Sequence, residues 1–94
     1  MLTSKQKKYL KSEAHALKPI FQVGKDGVGM KQANSINDAL KAKELIKVKL
    51  LDTCPQTVNE AALEISRLTK ADVVHIIGHT IILYKASEKG IYQI

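Results

Sequence analysis

The sequence predicts a single compact α/β domain in which helices pack on a four-stranded mixed sheet. Its 94 residues suit one domain with one modest core. Segments with helical and strand periodicity alternate in the order α-β-α-β-α-β-β, which is typical of a sheet covered by helices. No internal repeat, low-complexity segment or linker interrupts the chain. We therefore expect residues 1–94 to form one domain, in which a tail from about residue 86 has no clear assignment.

The first helix is predicted to begin after Thr3 or Ser4, because either hydroxyl can accept a hydrogen bond from a backbone N–H group of the first turn. It is expected to end at Pro19, since a proline disfavours helical geometry in the residue before it. Its buried stripe has the spacing i, i+4, i+7 and comprises Leu10, Ala14 and Leu17. A short strand, residues 20–23 (IFQV), follows.

The second helix is predicted to run from Gly29 or Met30 to Lys43. Its inner stripe, with the spacing i, i+3, i+7, comprises Ala33, Ile36 and Leu40. The segment KELIKVKLLD then alternates between apolar and polar residues, which indicates a half-buried strand. The apolar side of this strand comprises Ile46, Val48 and Leu50, and the other side comprises Lys47 and Lys49.

The third helix begins with Thr57 and Glu60, which form the T-x-x-E pattern of a capping box. Two strands around Gly78-His79 follow as a hairpin rich in β-branched residues. Each strand–helix–strand unit is expected to make a right-handed crossover, so that its two strands are parallel neighbours. The last strand adds antiparallel pairing. The tail remains open between a short extra strand and a loose end.

Positive charge is concentrated in the first half of the chain. Fifteen Lys and Arg residues against nine Asp and Glu give a formal net charge of +6. Residues 1–49 hold eleven lysines and four acidic residues, a net charge of +7, whereas residues 50–94 hold four basic and five acidic residues, a net charge of −1. Such asymmetry favours one positive face and a polyanionic partner. The alternative is that these lysines only solvate the surface.

The sequence lacks the segments that would direct a protein into a membrane or out of the cell. No run of 18 apolar residues and no signal-peptide pattern occurs, so we expect neither a membrane span nor secretion. Cys54 is the only cysteine and cannot close an internal disulfide. A cytoplasmic protein is the simplest interpretation.

Enzyme chemistry has little support in the sequence. The histidines His15, His75 and His79 fall in a helix, a strand and a turn, and no C-x-x-C spacing suggests a metal site. No G-x-S-x-G or Walker A pattern is present. We expect no catalysis, no metal and no cofactor. The alternative is a small enzyme that uses Cys54 or a histidine.

A glycine-rich loop, QVGKDGVGM, joins the first strand to the second helix. The first backbone N–H groups of a helix lack an intrahelical partner and carry partial positive charge. Gly24 and Gly27 would let a phosphate approach these groups, because no Cβ stands in the way. Lys25 and Lys31 add positive charge, whereas Asp26 would repel a phosphate unless it turns aside or caps the helix. The alternative is a plain tight turn.

Further cations come from the first helix, namely Lys5, Lys7, Lys8 and Lys11. If this helix packs near the loop, the two form one basic surface. The chain has only four aromatic residues, so stacking on unpaired bases is limited. We expect a folded RNA to be held through its backbone and shape. The rival interpretation is a module that binds an acidic protein.

Three segments, LTSKQKKYLKSEAHALKPIFQVGKDG, KELIKVKL and HIIGHTIILYK, closely resemble the CRM domain family (chloroplast RNA splicing and ribosome maturation), especially its stand-alone bacterial YhbY-type members. The resemblance extends from Leu2 to about Lys85. It implies a fold similar to the C-terminal domain of translation initiation factor three. It also implies RNA binding and association with precursors of the large ribosomal subunit.

The resemblance assigns RNA contacts to particular positions. The family's G-x-x-G loop corresponds to Gly24, Lys25, Asp26 and Gly27, and its basic helix to Lys5, Lys8 and Lys11. Two features depart from the expected pattern. Similar loops of KH domains join two helices rather than a strand and a helix, and His79 stands where the family often has arginine.

These observations predict a non-catalytic, cytoplasmic and monomeric RNA-binding protein that acts in ribosome assembly. The predicted RNA-binding residues are Lys5, Lys7, Lys8, Lys11, Gly24, Lys25, Asp26, Gly27 and Lys31.

Overall fold

Helices and strands follow one another in the predicted order. The computed structural model describes residues 2–92 and 94, and within them it has three helices and four strands. The helices are α1 (Ser4–Ala14), α2 (Met30–Lys43) and α3 (Val58–Thr69), and the strands are β1 (Phe21–Val23), β2 (Leu45–Leu50), β3 (Asp72–Ile77) and β4 (Thr80–Tyr84). The α/β class and the order α-β-α-β-α-β-β are therefore confirmed.

The four strands form one mixed sheet in the order β1-β2-β4-β3. β1 pairs with β2 in parallel, and β4 pairs antiparallel with both β2 and β3. One expectation is wrong, because β2 and β3 are not neighbours and β4 lies between them. The physical reason is the composition of β4. Its four residues from Ile81 to Tyr84 are all buried, so this strand needs cover on both faces and takes a central position.

Two layers cover the sheet from opposite sides. α2 and α3 pack on the face that carries Val48 and Leu50, together with Ile81 and Leu83 of β4. This confirms the predicted apolar side of β2. α1 packs on the other face and contacts β2, β3 and β4. There it buries Leu10 and Ala14 against three residues of the sheet's second core, Leu45, Val74 and Ile82. The GxxG loop and α2 therefore lie on the opposite layer from α1.

α1 is shorter than the sequence predicts. It ends at Ala14 with His15 as its C-cap, whereas the sequence predicts that it continues up to Pro19. The chain then crosses the sheet face to reach β1. On the way Leu17 is half-buried, and the backbone N–H of Ile20 donates to the carbonyl of Lys47 over 3.0 Å. Placing β1 beside β2 requires this extended connection, so tertiary pairing ends the helix before the proline does.

The two ends of the sheet differ. At one end, called here the loop end, β1 and β2 finish and the turn Gly78-His79 joins β3 to β4. At the other, called here the tail end, β2 begins and β4 finishes. The predicted hairpin around Gly78-His79 is confirmed.

The C-terminal tail is neither an extra strand nor loose in its described part, residues 86–92 and 94. It is anchored to Glu44, the residue before β2, whose side chain is fully buried. The Ser87 backbone N–H and hydroxyl donate to Glu44 Oε2 over 2.8 and 2.6 Å, and the Tyr92 N–H donates to Oε1 over 3.1 Å. The ring of Tyr92 also meets Tyr84 edge-on, with centroids 6.4 Å apart. Met1 and Gln93, which fall in the predicted single domain, lie outside the described residues.

Candidate nucleic-acid interface

The GxxG loop is a tight turn at the loop end of the sheet. The Gly27 N–H donates to the Gly24 carbonyl over 3.0 Å and closes the turn. Gly27 has a φ of 67°, and a Cβ added there would lie 3.0 Å from Gln56 Oε1. Gly24 has neither constraint, since its added Cβ would make ordinary contacts of 3.6 Å with Leu51 and Thr53. Gly27 is therefore the glycine that the turn itself requires.

The start of α2 has no side-chain cap. Its N-cap residue is Gly29, and no side chain accepts a hydrogen bond from the first turn. The other two helices each have a complete capping box. In α1 it is formed by Thr3 and Gln6, and in α3 by the predicted pair Thr57 and Glu60. α2 thus begins with backbone donors that no side chain occupies, next to a glycine around which an added Cβ would meet nothing within 4 Å.

One cleft collects part of the predicted site. It has a volume of about 350 Å³ and lies between the loop and the first turns of α2. Asp26, Gly27 and Lys31 line it, together with Gly29 and Phe21. Asp26 does not cap α2, so its exposed carboxylate stays in the cleft and opposes an anion there. Two other predicted residues, Gly24 and Lys25, do not line the cleft.

Exposed α1 lysines flank two separate shallow grooves. The predicted lysines, Lys5, Lys7, Lys8 and Lys11, are all exposed. Lys8 and Lys11 line one groove with His15, and Lys5 lines another with Ile94. Because α1 and α2 cover opposite faces of the sheet, the structure does not gather the α1 lysines and the loop into one cleft. The loop end of the sheet lies between them.

Most of the basic residues have no acidic partner. Among residues 2–92 and 94 the single ion pair joins Arg67 and Glu64. Two lysines serve the fold instead. Lys85 Nζ donates to Asn37 Oδ1 and to the Thr69 carbonyl over 3.0 and 2.7 Å, and Lys47 Nζ donates to the Leu17 carbonyl over 2.9 Å. The positive charge of the predicted site residues therefore remains uncompensated by carboxylates within 4.0 Å.

Sequence reasoning missed two residues that shape the site. Gly29 leaves α2 uncapped, and Gln56 holds the loop by accepting from the Val28 N–H over 2.8 Å. A signal for Gly29 was present, because no Ser, Thr, Asp or Asn stands directly before Met30. Nothing in the sequence signals Gln56, since its contact joins residues 28 positions apart.

The cysteine and histidine considered for an enzyme or metal site lie outside the cleft at the start of α2. Cys54 is half-buried against the main core, and His75 is half-buried in the predicted strand β3. In the part of the chain that the structure describes, no group of three or more His, Cys, Asp or Glu side chains could hold a metal ion. No described helix combines the length and apolar character that crossing a membrane requires.

Comparison with known proteins identifies the family. Residues 2–85 match the model of the CRS1 / YhbY (CRM) domain, and the chain belongs to this family. It is 47% identical over 90 residues to the Bacillus subtilis protein named "Probable RNA-binding protein YqeI", covering 96% of this chain and 94% of that protein. It is 39% identical over 93 residues to a Haemophilus influenzae protein named "RNA-binding protein", covering 99% and 94%. The resemblance seen in the sequence is therefore confirmed.

A solved structure shows the same fold. The solution structure of the protein SAV1595 from Staphylococcus aureus superposes with a TM-score of 0.82 and 41% sequence identity. The match covers 96% of this chain and 94% of that one. The single compact α/β fold with a mixed sheet is thus shared with that protein.

Proposed function

We propose that this protein is a cytoplasmic, monomeric and non-catalytic RNA-binding protein that acts in assembly of the large ribosomal subunit. Its proposed target is structured RNA, in particular ribosomal RNA of large-subunit precursors. The names of its relatives in Bacillus subtilis and Haemophilus influenzae support RNA as the ligand. The net charge of +6 supports a polyanionic partner.

The observation that carries the proposal is the uncapped start of α2 directly after the GxxG loop. Free backbone N–H groups at a helix N-terminus, with the helix dipole behind them, attract a phosphate. The turn held by Gly27 brings the loop next to these donors, and Gly29 leaves the approach open. Lys31 lines the same cleft and adds a full positive charge.

The other predicted residues extend this contact. Lys25 is exposed within the turn, and the α1 lysines add positive charge on the far side of the sheet. Such contacts fix the position of an RNA through its phosphates and carry little sequence information. We therefore expect affinity to fall steeply as salt concentration rises.

A substitution at Gly29 tests the site. In Gly29→Asp the new carboxylate can cap α2 and places negative charge where the phosphate would dock. We expect the affinity for a labelled RNA hairpin to fall about tenfold while the fold is kept. Gly29→Ala adds a Cβ without a charge and should change affinity less than about twofold.

The matched control is Ala42→Glu, which adds the same charge at the opposite, exposed end of α2. It should leave RNA affinity within about twofold of the wild type. Equal losses in Gly29→Asp and Ala42→Glu would mean that net charge alone governs binding, and the start of α2 would then have no special role.

The RNA target is tested by crosslinking in cells. The protein is crosslinked to RNA, purified under denaturing conditions, and the attached RNA is sequenced. Reads concentrated in large-subunit ribosomal RNA and its precursor would support the assembly role. Reads no more abundant than in an uncrosslinked control would contradict it, and an acidic protein would become the better candidate partner.

A further inference from the structure

A row of side chains crosses the sheet near its loop end. Gln22 of β1 lies opposite Lys49 of β2, Lys49 lies opposite Thr80 of β4, and Thr80 lies opposite Ile77 of β3. Residues directly opposite each other point to the same face of a sheet. With strands about 4.8 Å apart, the four positions span about 14 Å. This row, Gln22-Lys49-Thr80-Ile77, is called the open strip.

The open strip lies on the α1 face, yet α1 does not cover it. Val48 and Leu50 face α2 and α3, so Lys49 between them faces the other way. α1 packs on residues farther from the loop end, including Leu45 and Tyr84. Gln22 and Lys49 are exposed, Thr80 is half-buried, and 53% of the Ile77 surface is accessible. This part of the sheet face therefore has no cover from the described chain.

The strip is continuous with the GxxG loop. The Leu51 N–H donates to the Val23 carbonyl over 2.9 Å, which holds the ends of β2 and β1 together beside Gly24. The Leu50 N–H donates to the His79 carbonyl over 2.8 Å, which places the β3–β4 turn at the same end. A ligand on the loop can therefore reach the strip without crossing a helix.

α1 carries lysines on the flank that faces away from the C-terminal tail. Tyr9 lines a groove with Ile94, so this flank of α1 faces the tail and the tail end of the sheet. Residues two positions apart on a helix are about 200° apart around its axis. Lys7 and Lys11, each two positions from Tyr9, therefore project from the flank of α1 opposite the one that faces the tail. In the described chain no carboxylate lies within 4.0 Å of either ammonium group or of Lys49.

We propose that the open strip is a second RNA-contact surface, which guides an RNA strand from the GxxG loop to the α1 lysines. This inference rests on the proposed function and extends it. Lys49 would contact a phosphate, and the Thr80 hydroxyl and Gln22 amide would bond to ribose 2′-hydroxyl groups or base edges. Ile77 offers an apolar contact to a ribose or a base. The strip explains how basic groups on opposite layers of the sheet serve one ligand.

The experiment compares Lys49→Gln with Lys43→Gln, using a labelled RNA hairpin that has a single-stranded extension. Both lysines are exposed, but Lys43 is at the far end of α2, away from the loop. We expect Lys49→Gln to weaken binding about three- to tenfold and to reduce the salt slope by about one. Lys43→Gln should change the affinity less than about twofold. Backbone amide signals of Lys49, Ile77 and Thr80 should shift when the RNA is added to the wild type.

The outcomes separate this inference from the proposed function. If the wild type binds RNA and Gly29→Asp weakens it, but Lys49→Gln behaves like Lys43→Gln, the open strip is not an RNA surface and only this inference fails. If the wild type does not bind RNA, the proposed function fails with it. Strip signals that shift with poly-glutamate and not with RNA would also overturn the inference, in favour of an acidic protein.

Discussion

The two ends of α2 are built in opposite ways. At its C-terminal end, the buried carboxylate of Glu44 accepts hydrogen bonds from Ser87 and Tyr92 and ties the tail to the sheet. At its N-terminal end, Gly29 provides no side-chain acceptor and the first turn is open to solvent. Polar groups that have partners inside the protein stabilise the fold, whereas groups that lack them remain available to a ligand. One helix thus separates the part that holds the domain together from the part proposed to bind RNA.

Leaving the N-terminal end of α2 without a side-chain cap lowers the stability of the fold only slightly. Glycine at an N-cap position is only a few tenths of a kcal/mol less favourable than Ser, Thr, Asp or Asn. The anchored end is different, because removing one partner from a buried, charged hydrogen-bond network leaves the others unsatisfied. Substitutions at the C-terminal end of α2 should therefore lower the free energy of unfolding, whereas substitutions at its N-terminal end should change the affinity for RNA.

The largest effect is expected from Glu44→Ala. Three donors from Ser87 and Tyr92 lose their acceptor, so the free energy of unfolding should fall by about 2–4 kcal/mol. Urea denaturation measures this loss, and faster proteolysis of the tail should accompany it. The control is Glu88→Ala at an exposed tail position, which should change stability by less than about 0.5 kcal/mol. A loss no larger than that of the control would mean that the anchor does not hold the tail.

Acid should weaken the same anchor. The hydrogen bond from the Ser87 hydroxyl is the main cause that holds the pKa of Glu44 below its usual value of 4.5, while burial acts in the opposite direction. A pKa lowered in the folded state stabilises the protein fully above 4.5, and this contribution is lost as pH falls from 4.5 through the folded value.

The measurement is the free energy of unfolding against pH for the wild type and Glu44→Gln. Below pH 4.5 the wild type should lose stability more steeply than the variant. The pKa of Glu60 is also lowered, first by the backbone N–H of Thr57, but Glu60 is present in both proteins and so cancels from the difference. Parallel curves would show that Glu44 does not contribute to acid sensitivity.

A smaller effect should distinguish the two glycines of the GxxG loop. Gly27→Ala places a side chain at a φ of 67° and close to Gln56, so we expect a loss of about 1–2 kcal/mol in stability. Gly24→Ala meets only ordinary contacts at 3.6 Å and should be within about 0.5 kcal/mol of the wild type. Thermal or urea denaturation of the two variants gives the comparison. Equal stability would show that the turn does not depend on the glycine at position 27.

The smallest effect concerns the charge in the cleft. Asp26→Asn removes a carboxylate that opposes a phosphate at the start of α2, so RNA affinity should rise about two- to threefold at low salt. Asp38→Asn, an exposed position farther along α2, removes the same charge and should have a weaker effect. Weaker binding of Asp26→Asn would instead identify the carboxylate as an acceptor of a hydrogen bond from the RNA.

Local patterns in the sequence were enough to predict the elements of the fold. Periodicity, turn residues and β-branched composition predicted the three helices and four strands of the described residues, and the capping box at Thr57 and Glu60 is present as predicted. The misses depend on tertiary packing. The central position of β4 follows from burial on both of its faces, and the end of α1 follows from the path to β1. Neither the position of β4 nor the end of α1 is therefore set by the residues of that segment alone.

The sequence indicated which types of residue form the candidate site, but not how the fold arranges them. Glycines and lysines mark the loop and α1, but backbone conformation decides that Gly27 shapes the turn and Gly29 opens α2. The separation of α1 from the loop depends on which face each helix covers, and strand register together with the packing of α1 reveals the open strip. The anchor at Glu44 gave no signal, since a glutamate after a helical segment is ordinarily solvated.

The most direct test is to titrate the RNA hairpin into isotope-labelled protein and follow the backbone amide signals of Met30, Lys31 and Gln32. We expect these signals to shift the most in the wild type, and to shift far less in Gly29→Asp, while the signals of the last turn of α2 serve as an internal reference. Shifts confined to lysine-rich surfaces, with the start of α2 unchanged, would contradict the claim that this open helix end binds the RNA.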